Sequence, residues 1–305
     1  MRAVWLREFG GPEVLVAGEA PDPAPGPGQV LVDVAFANIT FVETQMRAGL
    51  PGPLKPELPM IPGNGVGGVA AGRRVVTSTG GSGGYAERVA VDAGGLVDVP
   101  DGLALDAAVA LLADGRTATM LVRAAGVGAG DSVLVEAAAG GVGSLLIQLA
   151  RAAGATVVAA AGGERKLALA RELGAAAAVD YREAGWTDGV GEVDVVFDGV
   201  GGAIARAAFG LLGRGGRMLS YGLASGEWAD VAEAEAAARG VTLVRPARPT
   251  PEEQRELARS ALAEAAAGRL RPVIGQRFPL ERAADAHAAI EARATIGKTL
   301  LEVGG

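Results

Sequence analysis

The chain contains no cysteine and a single histidine, His287. Without thiols there is no disulfide, no cysteine nucleophile and none of the cysteine-based zinc sites of many dehydrogenases; one imidazole cannot supply a histidine-rich metal site either, so no metal is expected. His287 lies within Leu280–Ile290, a segment of helical pattern where packing or a place on the helix surface is its expected job. Ser/His/Asp hydrolysis is thereby left without a base. Aromatic residues make up only 4% of the chain, so the core must be built from Ala, Val and Leu, and ring platforms for nucleic-acid bases are scarce. Positive charge is in the minority: 28 Lys and Arg against 35 Asp and Glu leave a net charge of −7, which argues against a phosphate-backbone binder. No uncharged apolar run reaches the roughly 18 to 20 residues that a membrane-spanning helix needs. Met1–Glu8 reads as a strand without the apolar core of a signal peptide. A cytoplasmic protein that engages neither nucleic acid nor membrane is expected.

What the chain has in quantity is glycine, 48 residues in 305, and one glycine cluster is placed to do chemistry. Val133, Leu134 and Val135 form an apolar strand. Val142, Leu145, Leu146, Leu149 and Ala152 then recur at helical spacing up to Gly154, which sits where a helix-ending glycine belongs. Between them, Gly140, Gly141, Val142 and Gly143 leave backbone N–H groups open at a helix N-terminus, where a pyrophosphate can approach closely. The usual Gly-x-Gly-x-x-Gly wording has Ala138 in its first slot here. A strand at Thr156–Ala160, a helix at Glu164–Leu173 closed by Gly174 and a short strand at Ala178-Val179 complete a βαβαβ half. A strand at Val193–Phe197, a helix from about Ala203 to Leu212, and strands at Met218–Tyr221 and Val241–Val244 follow. Strands alternating with helices imply an α/β domain, a doubly wound parallel sheet of Rossmann type, over residues 113–249.

Residues 1–112 have a different texture. Short strands at Val30–Ala35, Gly72–Thr77 and Tyr85–Val91 alternate with proline-rich loops at Pro21–Pro27 and at Pro51, Pro53, Pro56, Pro59 and Pro62. After the Rossmann region come a helix at Pro251–Gly268, a strand at Val273-Ile274, the helix around His287 and a last strand at Thr299–Val303. The pattern alone does not say that this tail returns to the N-terminal part.

The order and wording of several segments resemble the zinc-independent quinone oxidoreductases, the zeta-crystallin group of the medium-chain dehydrogenase/reductase superfamily. The resemblance runs nearly end to end. It is carried by Pro62-Gly63-x-x-Val66-Gly67-Gly68, Gly84-Tyr85-Ala86-Glu87, Gly115-x-Thr117-Ala118, Ala137-Ala138-Ala139-Gly140-Gly141-Val142-Gly143, Lys166 with Leu173-Gly174-Ala175, Phe197-Asp198-x-Val200-Gly201-Gly202 and Gly297-Lys298. It implies a GroES-like, mostly β catalytic domain of residues 1–112 completed by 250–305, with the Rossmann domain inserted and the active site in the cleft between them.

An NAD enzyme usually places a carboxylate at the end of the second Rossmann strand. Here that place reads Gly162-Gly163, and Lys166 follows. The resemblance implies that Lys166, Tyr181 and Arg293 grip a 2′-phosphate, which makes NADPH the expected cofactor; Arg165 reads as an ordinary solvated charge. Thr117, Asp198 and Gly222 are expected to line the nicotinamide end, with a cap on the following helix as the rival reading of Asp198. The resemblance departs at the substrate end. Thr40 and Gln45 stand where relatives commonly show Asn and Tyr, Gly65 stands for a common Glu, and the connection within Gly67–Val75 is short. Thr40 and Gln45 are the candidate catalytic residues, as hydrogen-bond donors to an acceptor oxygen or to the carboxamide, with a purely structural role as the rival reading of each. With so little acid-base power on offer, the expected acceptor is a quinone. The alternatives are an enone or 2-alkenal, a non-catalytic NADPH-binding protein and, more remotely, a zinc alcohol dehydrogenase on the same scaffold. Relatives pair Rossmann sheets edge to edge, so a homodimer through Val241–Val244 is expected.

Overall fold

The computed structural model describes residues 1–51 and 56–304; Pro53, one of the loop prolines, lies outside the described residues. The chain divides into two compact units, Met1–Arg116 with Thr250–Gly305, and Thr117–Pro249.

The first unit opens with an antiparallel pair, β1 (Arg2–Leu6) and β2 (Leu15–Glu19). A long strand, β3 (Gln29–Ile39), runs into a short helix, α1 (Phe41–Arg47). β4 (Gly65–Ala70), β5 (Arg73–Ser78), β6 (Arg88–Asp92) and β7 (Val97–Asp98) follow, and α2 (Leu105–Ala125) crosses the boundary into the second unit. β4 and β5 pair from Gly65↔Ser78 to Ala70↔Arg73, so Ala71 (φ 47°) and Gly72 (φ 75°) alone turn the chain. Two consecutive left-handed residues make the tightest hairpin, which accounts for the short Gly67–Val75 connection.

In the second unit the order is β8 (Ser132–Glu136), α3 (Gly141–Ala152), β9 (Thr156–Ala161), α4 (Glu164–Glu172), β10 (Ala177–Asp180), β11 (Val193–Asp198), α5 (Gly202–Gly210), β12 (Leu212–Ser220), α6 (Glu233–Arg239) and β13 (Thr242–Leu243). Its strands form one parallel six-stranded sheet in the order β10-β9-β8-β11-β12-β13. The buried runs of Val133–Val135 and Val195–Phe197 are apolar on both faces, as a sheet covered on both sides requires.

The chain then returns to the first unit with α7 (Pro251–Ala266), β14 (Ile274–Pro279), α8 (Ala283–Glu291) and β15 (Lys298–Glu302). β15 lies between β14 and β3 in a seven-stranded sheet ordered β14-β15-β3-β4-β5-β7, with β6 also on β3. Val32, Val34, Val66, Val75, Leu280 and Leu301 share its core.

Several elements differ from the sequence expectation. The helix expected to about Leu212 ends at Gly210, and β12 starts at Leu212 rather than Met218. Its first half, Gly213-Arg214-Gly215-Gly216, carries no apolar pattern; the strand exists because its ladder pairs with β11 across a register shift between Val193 and Val195. Tyr85 and Ala86 do not extend β6; the Val4 N–H donates to the Tyr85 carbonyl, and Ala3 bridges Ala86 beside β1. The expected edge strand Val241–Val244 shortens to Thr242–Leu243. Among the described residues no helix is long and apolar enough to cross a membrane.

Candidate active site

In the second unit the glycine turn joins β8 to α3. Ala137 takes up a left-handed conformation (φ 47°), and the Gly140 N–H donates to the Ala137 carbonyl at 2.8 Å. A Cβ at Gly143 would stand 2.4 Å from that carbonyl oxygen, so glycine there is a steric requirement of the turn. The N-cap is Gly140, and no side chain caps α3. The N–H groups of its first turn, Gly141, Val142 and Gly143, therefore keep their donors and the positive end of the helix dipole for an external anion. An anionic pyrophosphate fits this cradle.

The end of β9 is the second half of this region. Gly162 and Gly163 follow Ala161 directly, and Gly163 (φ 95°) is the N-cap of α4, again with no side-chain cap. Lys166, half-buried, is in the first turn of α4, and the Tyr181 N–H donates to the Ala161 carbonyl at 3.3 Å. A Cβ at Gly162 would lie 3.4 Å from the Tyr181 ring. Gly162, Gly163, Lys166 and Tyr181 are thus neighbours at one strand end. Two further residues stand there without having been anticipated. Asp180, the last residue of β10 and the register partner of Ala161, accepts the Gly163 N–H at 2.9 Å. Arg182 clasps the same carboxylate through Nε (2.9 Å) and Nη2 (2.6 Å). No local signal in the sequence joins residues 163 and 180; only the parallel β9–β10 pairing does.

Asp198 ends β11 fully buried. Its Oδ1 accepts the N–H groups of Val200 (3.0 Å) and Gly201 (2.7 Å), in the turn before α5; the N-cap of α5 is Gly201 and no side chain caps the helix, so the cap reading of Asp198 does not hold and its Oδ1 serves the turn instead. Beside it, Glu136 ends β8, equally buried. No N–H or O–H of the described residues reaches Glu136 Oε1, Glu136 Oε2 or Asp198 Oδ2. Two carboxyl groups can bond to each other only through a proton. Burial first, and the Asp198 charge second, push the Glu136 carboxyl well above the usual carboxylate range. Gly222 packs near this pair: a Cβ there would meet the Gly199 carbonyl at 2.7 Å, and the Tyr221 hydroxyl donates to the Glu136 carbonyl at 3.3 Å. Thr117, half-buried on α2, begins this unit.

The first unit carries Thr40, Gln45 and Arg293. Thr40 precedes α1; its N–H and its hydroxyl both donate to Glu43 Oε2, at 2.7 and 2.8 Å, while the Asn64 N–H donates to Oε1 at 3.0 Å. A hydroxyl has one proton, and that of Thr40 is given to Glu43, so the expectation that Thr40 donates to an acceptor does not hold in this arrangement. Gln45 is half-buried, and its amide makes no hydrogen bond among the described residues. Arg293 is exposed just beyond α8, with φ 54°. At Gly65 the register partner is Asn38, and a Cβ would come within 2.5 Å of the Asn38 amide nitrogen. Asn38 thus occupies the room a longer side chain at 65 would need.

Sequence reasoning missed a buried polar cluster beneath α1. The Tyr85 hydroxyl and His287 Nε2 are 3.0 Å apart, and both residues are buried. Burial, helped by the nearby Arg47 guanidinium, lowers His287 to about 3, so the imidazole is neutral at working pH. Arg47 is itself buried and pairs with Glu291; Lys298 pairs with Asp114 at 2.9 Å. The surviving signal was the i, i+4 pair Glu43 and Arg47, which reads equally well as a solvated helix face.

A family model described as zinc-binding dehydrogenase matches residues 173–301. The quinone oxidoreductase of Homo sapiens is 35% identical over 324 aligned residues, covering 99% of this chain and 97% of that protein. The chain belongs to the quinone oxidoreductase family. That family lies within the medium-chain dehydrogenase/reductase superfamily, so the chain is an oxidoreductase. Among solved structures, Escherichia coli quinone oxidoreductase complexed with NADPH is similar with a TM-score of 0.90, 29% identity and coverage of 99% and 100% of the two chains. An NAD-dependent alcohol dehydrogenase reaches the same TM-score at 31% identity, covering 100% of each chain. The zinc in the family description does not fit this member. The chain has no cysteine, its one histidine is bonded to Tyr85, and among the described residues no group of three His, Cys, Asp or Glu is placed to hold a metal ion.

Proposed function

We propose that the chain is a zinc-independent, NADPH-dependent quinone reductase. The observation that carries this reading is the uncapped α3 N-terminus behind Gly140–Gly143, backed by Lys166 and Arg182 at a β9 end whose two residues are glycines. NADPH supplies a hydride. Gly141, Val142 and Gly143 hold the pyrophosphate by their N–H groups, and Lys166 and Tyr181 bind the 2′-phosphate. The acceptor follows from what the first unit withholds. Thr40 gives its proton to Glu43 and Tyr85 is buried against a neutral His287, while the Gln45 amide N–H has no hydrogen-bond partner among the described residues. A group of that kind orients an acceptor without protonating carbon. A quinone needs no more, because its ring takes hydride directly and its oxygens collect protons from water. A 2-alkenal needs a proton at carbon.

The test is NADPH oxidation followed with 1,4-benzoquinone and with a 2-alkenal. Turnover with benzoquinone at least about tenfold above the alkenal is expected, given the two to four orders of magnitude that general acid catalysis contributes where a reaction requires it. The reverse order makes the enone reading correct, and tight NADPH binding with no turnover of either makes the chain a non-catalytic NADPH binder. The reading includes a cytoplasmic homodimer joined through the β13 edge.

A further inference from the structure

Selectivity between NADPH and NADH is set, in Rossmann domains, by the charge at the end of the second strand. By sequence that place is neutral, Gly162-Gly163. In three dimensions it is not empty of charge, because Asp180 reaches it from the neighbouring strand. The Asp180 carboxylate, 13% exposed, takes the Gly163 N–H at 2.9 Å, and no side chain at 162 or 163 stands between it and the strand end. A bare carboxylate there is what an NAD-selective site presents to ribose hydroxyls, and it would repel a 2′-phosphate.

It is not bare. Arg182 folds back over it with Nε at 2.9 and 3.2 Å from the two carboxylate oxygens and Nη2 at 2.6 Å from Oδ2. The same guanidinium covers the glycines: a Cβ at Gly163 would stand 3.2 Å from Nη2, and one at Gly162 would stand 3.2 Å from the Arg182 Cδ. The Arg182 side chain keeps 62% of its surface exposed beside the strand end. The glycines therefore have a second role, leaving the room in which Arg182 lies. Hydrogen bonding from Arg182 holds Asp180 well below the usual carboxylate range, so Asp180 is ionised at any working pH and Arg182 is the group that neutralises it.

We infer that Asp180 and Arg182 form the coenzyme-selectivity determinant of this chain: Arg182 masks a carboxylate that would otherwise turn the β9 end toward NADH. This rests on the reading of the β9 end as the adenosine subsite. Arg182 acts here through Asp180, as a positioning and masking residue, and the prediction differs from that for a direct phosphate ligand.

The test is titration of NADPH and of NADH against wild type, Arg182→Gln, Asp180→Asn and the double variant, following protein fluorescence, with thermal melts to verify folding. Arg182→Gln is expected to weaken NADPH about tenfold, the scale of one unmasked charge several ångströms from a phosphate in a half-exposed site, while NADH changes less than threefold. The double variant is expected to bring NADPH binding back to within threefold of wild type, and Asp180→Asn alone to bind NADPH at least as tightly as wild type. A double variant as weak as Arg182→Gln overturns the proposal, because the lost contact is then with the phosphate itself. Equal weakening of both coenzymes, or no change in any variant, overturns it too. A wild type that prefers NADH, with the ratio still falling in Arg182→Gln and recovering in the double variant, sinks the NADPH reading and leaves the masking pair standing.

Discussion

At the scale of single residues, two of the few titratable groups buried away from water, Glu136 and His287, have a consequence for pH. Glu136 lies beside Asp198, and among the described residues neither of its carboxyl oxygens has a hydrogen-bond partner. Its folded-state pKa lies above the 4.5 of an unfolded glutamate, so the folded state keeps a proton that the unfolded state has released. The stability from that proton is fully present below the unfolded value and is lost as pH rises through the folded one. Glu136→Gln removes the titration and retains an N–H for Asp198 Oδ2. Its melting temperature is expected to exceed that of wild type at pH 8, with the advantage shrinking toward pH 4.5 by roughly 1.4 kcal/mol per unit over the interval between the two pKa values. Melts at several pH values check this, and an advantage that does not vary with pH would rule out the raised pKa. His287 has the opposite sign: its folded pKa of about 3 lies below 6.5, so its contribution is present above 6.5 and lost as pH falls.

At the scale of elements, the glycine turn shows how much of the site was legible in the sequence. The turn is local. A strand, four residues and a helix are contiguous, and their apolar spacing and glycines announce both the elements and the anion cradle. The structure adds which glycine is indispensable. Gly143→Ala drives a Cβ to 2.4 Å from a backbone carbonyl, whereas Gly140→Ala brings one to only 3.1 Å from the same atom at an ordinary φ of −79°. Gly143→Ala is therefore expected to lose about 2 kcal/mol of stability or more, in the range of overpacked sites, together with NADPH binding; Gly140→Ala should keep the fold. Thermal denaturation and coenzyme titration of both variants check the order, and an equal loss would show that the carbonyl clash is not the cause. Elements with no local pattern were not legible. β12 exists through its pairing with β11, which the glycines and Arg214 of its first half do not advertise; α2 and α6 are a different case, absent from the sequence expectation although their Ala-, Leu- and Glu-rich runs favour helix.

At the scale of the whole molecule, two units share one chain, and β15 from the tail inserts between β14 and β3 of the first. The insertion of the second unit follows from that topology, since residues 117–249 leave and re-enter a sheet completed only by the returning tail. The second unit's sheet ends at β13, a strand of two residues whose outer side has no strand partner among the described residues. Open edges invite pairing, and a second copy meeting at this edge would extend the sheet across both. Light scattering is expected to return about twice the mass of the chain, and a Leu243→Pro variant, which removes the N–H that faces away from β12 (the Val244 N–H, two residues along from Thr242, donates inward to the Met218 carbonyl), is expected to shift it toward the monomer. A wild type that already runs as a monomer would end the proposal.

By itself the sequence determined the parallel, doubly wound unit, the glycine turn between β8 and α3 and the exclusion of a cysteine or histidine metal centre, because each depends on residue types or on contacts within a few residues along the chain. The tertiary structure alone decided that Thr40 has given away its proton, that Glu136 and Asp198 share a buried place, and that Asp180 under Arg182 stands at the end of β9. These depend on charge and hydrogen bonding between segments brought together by strand register and packing, and a hydrogen bond or an ion pair is made at about 3 Å whatever the distance along the chain.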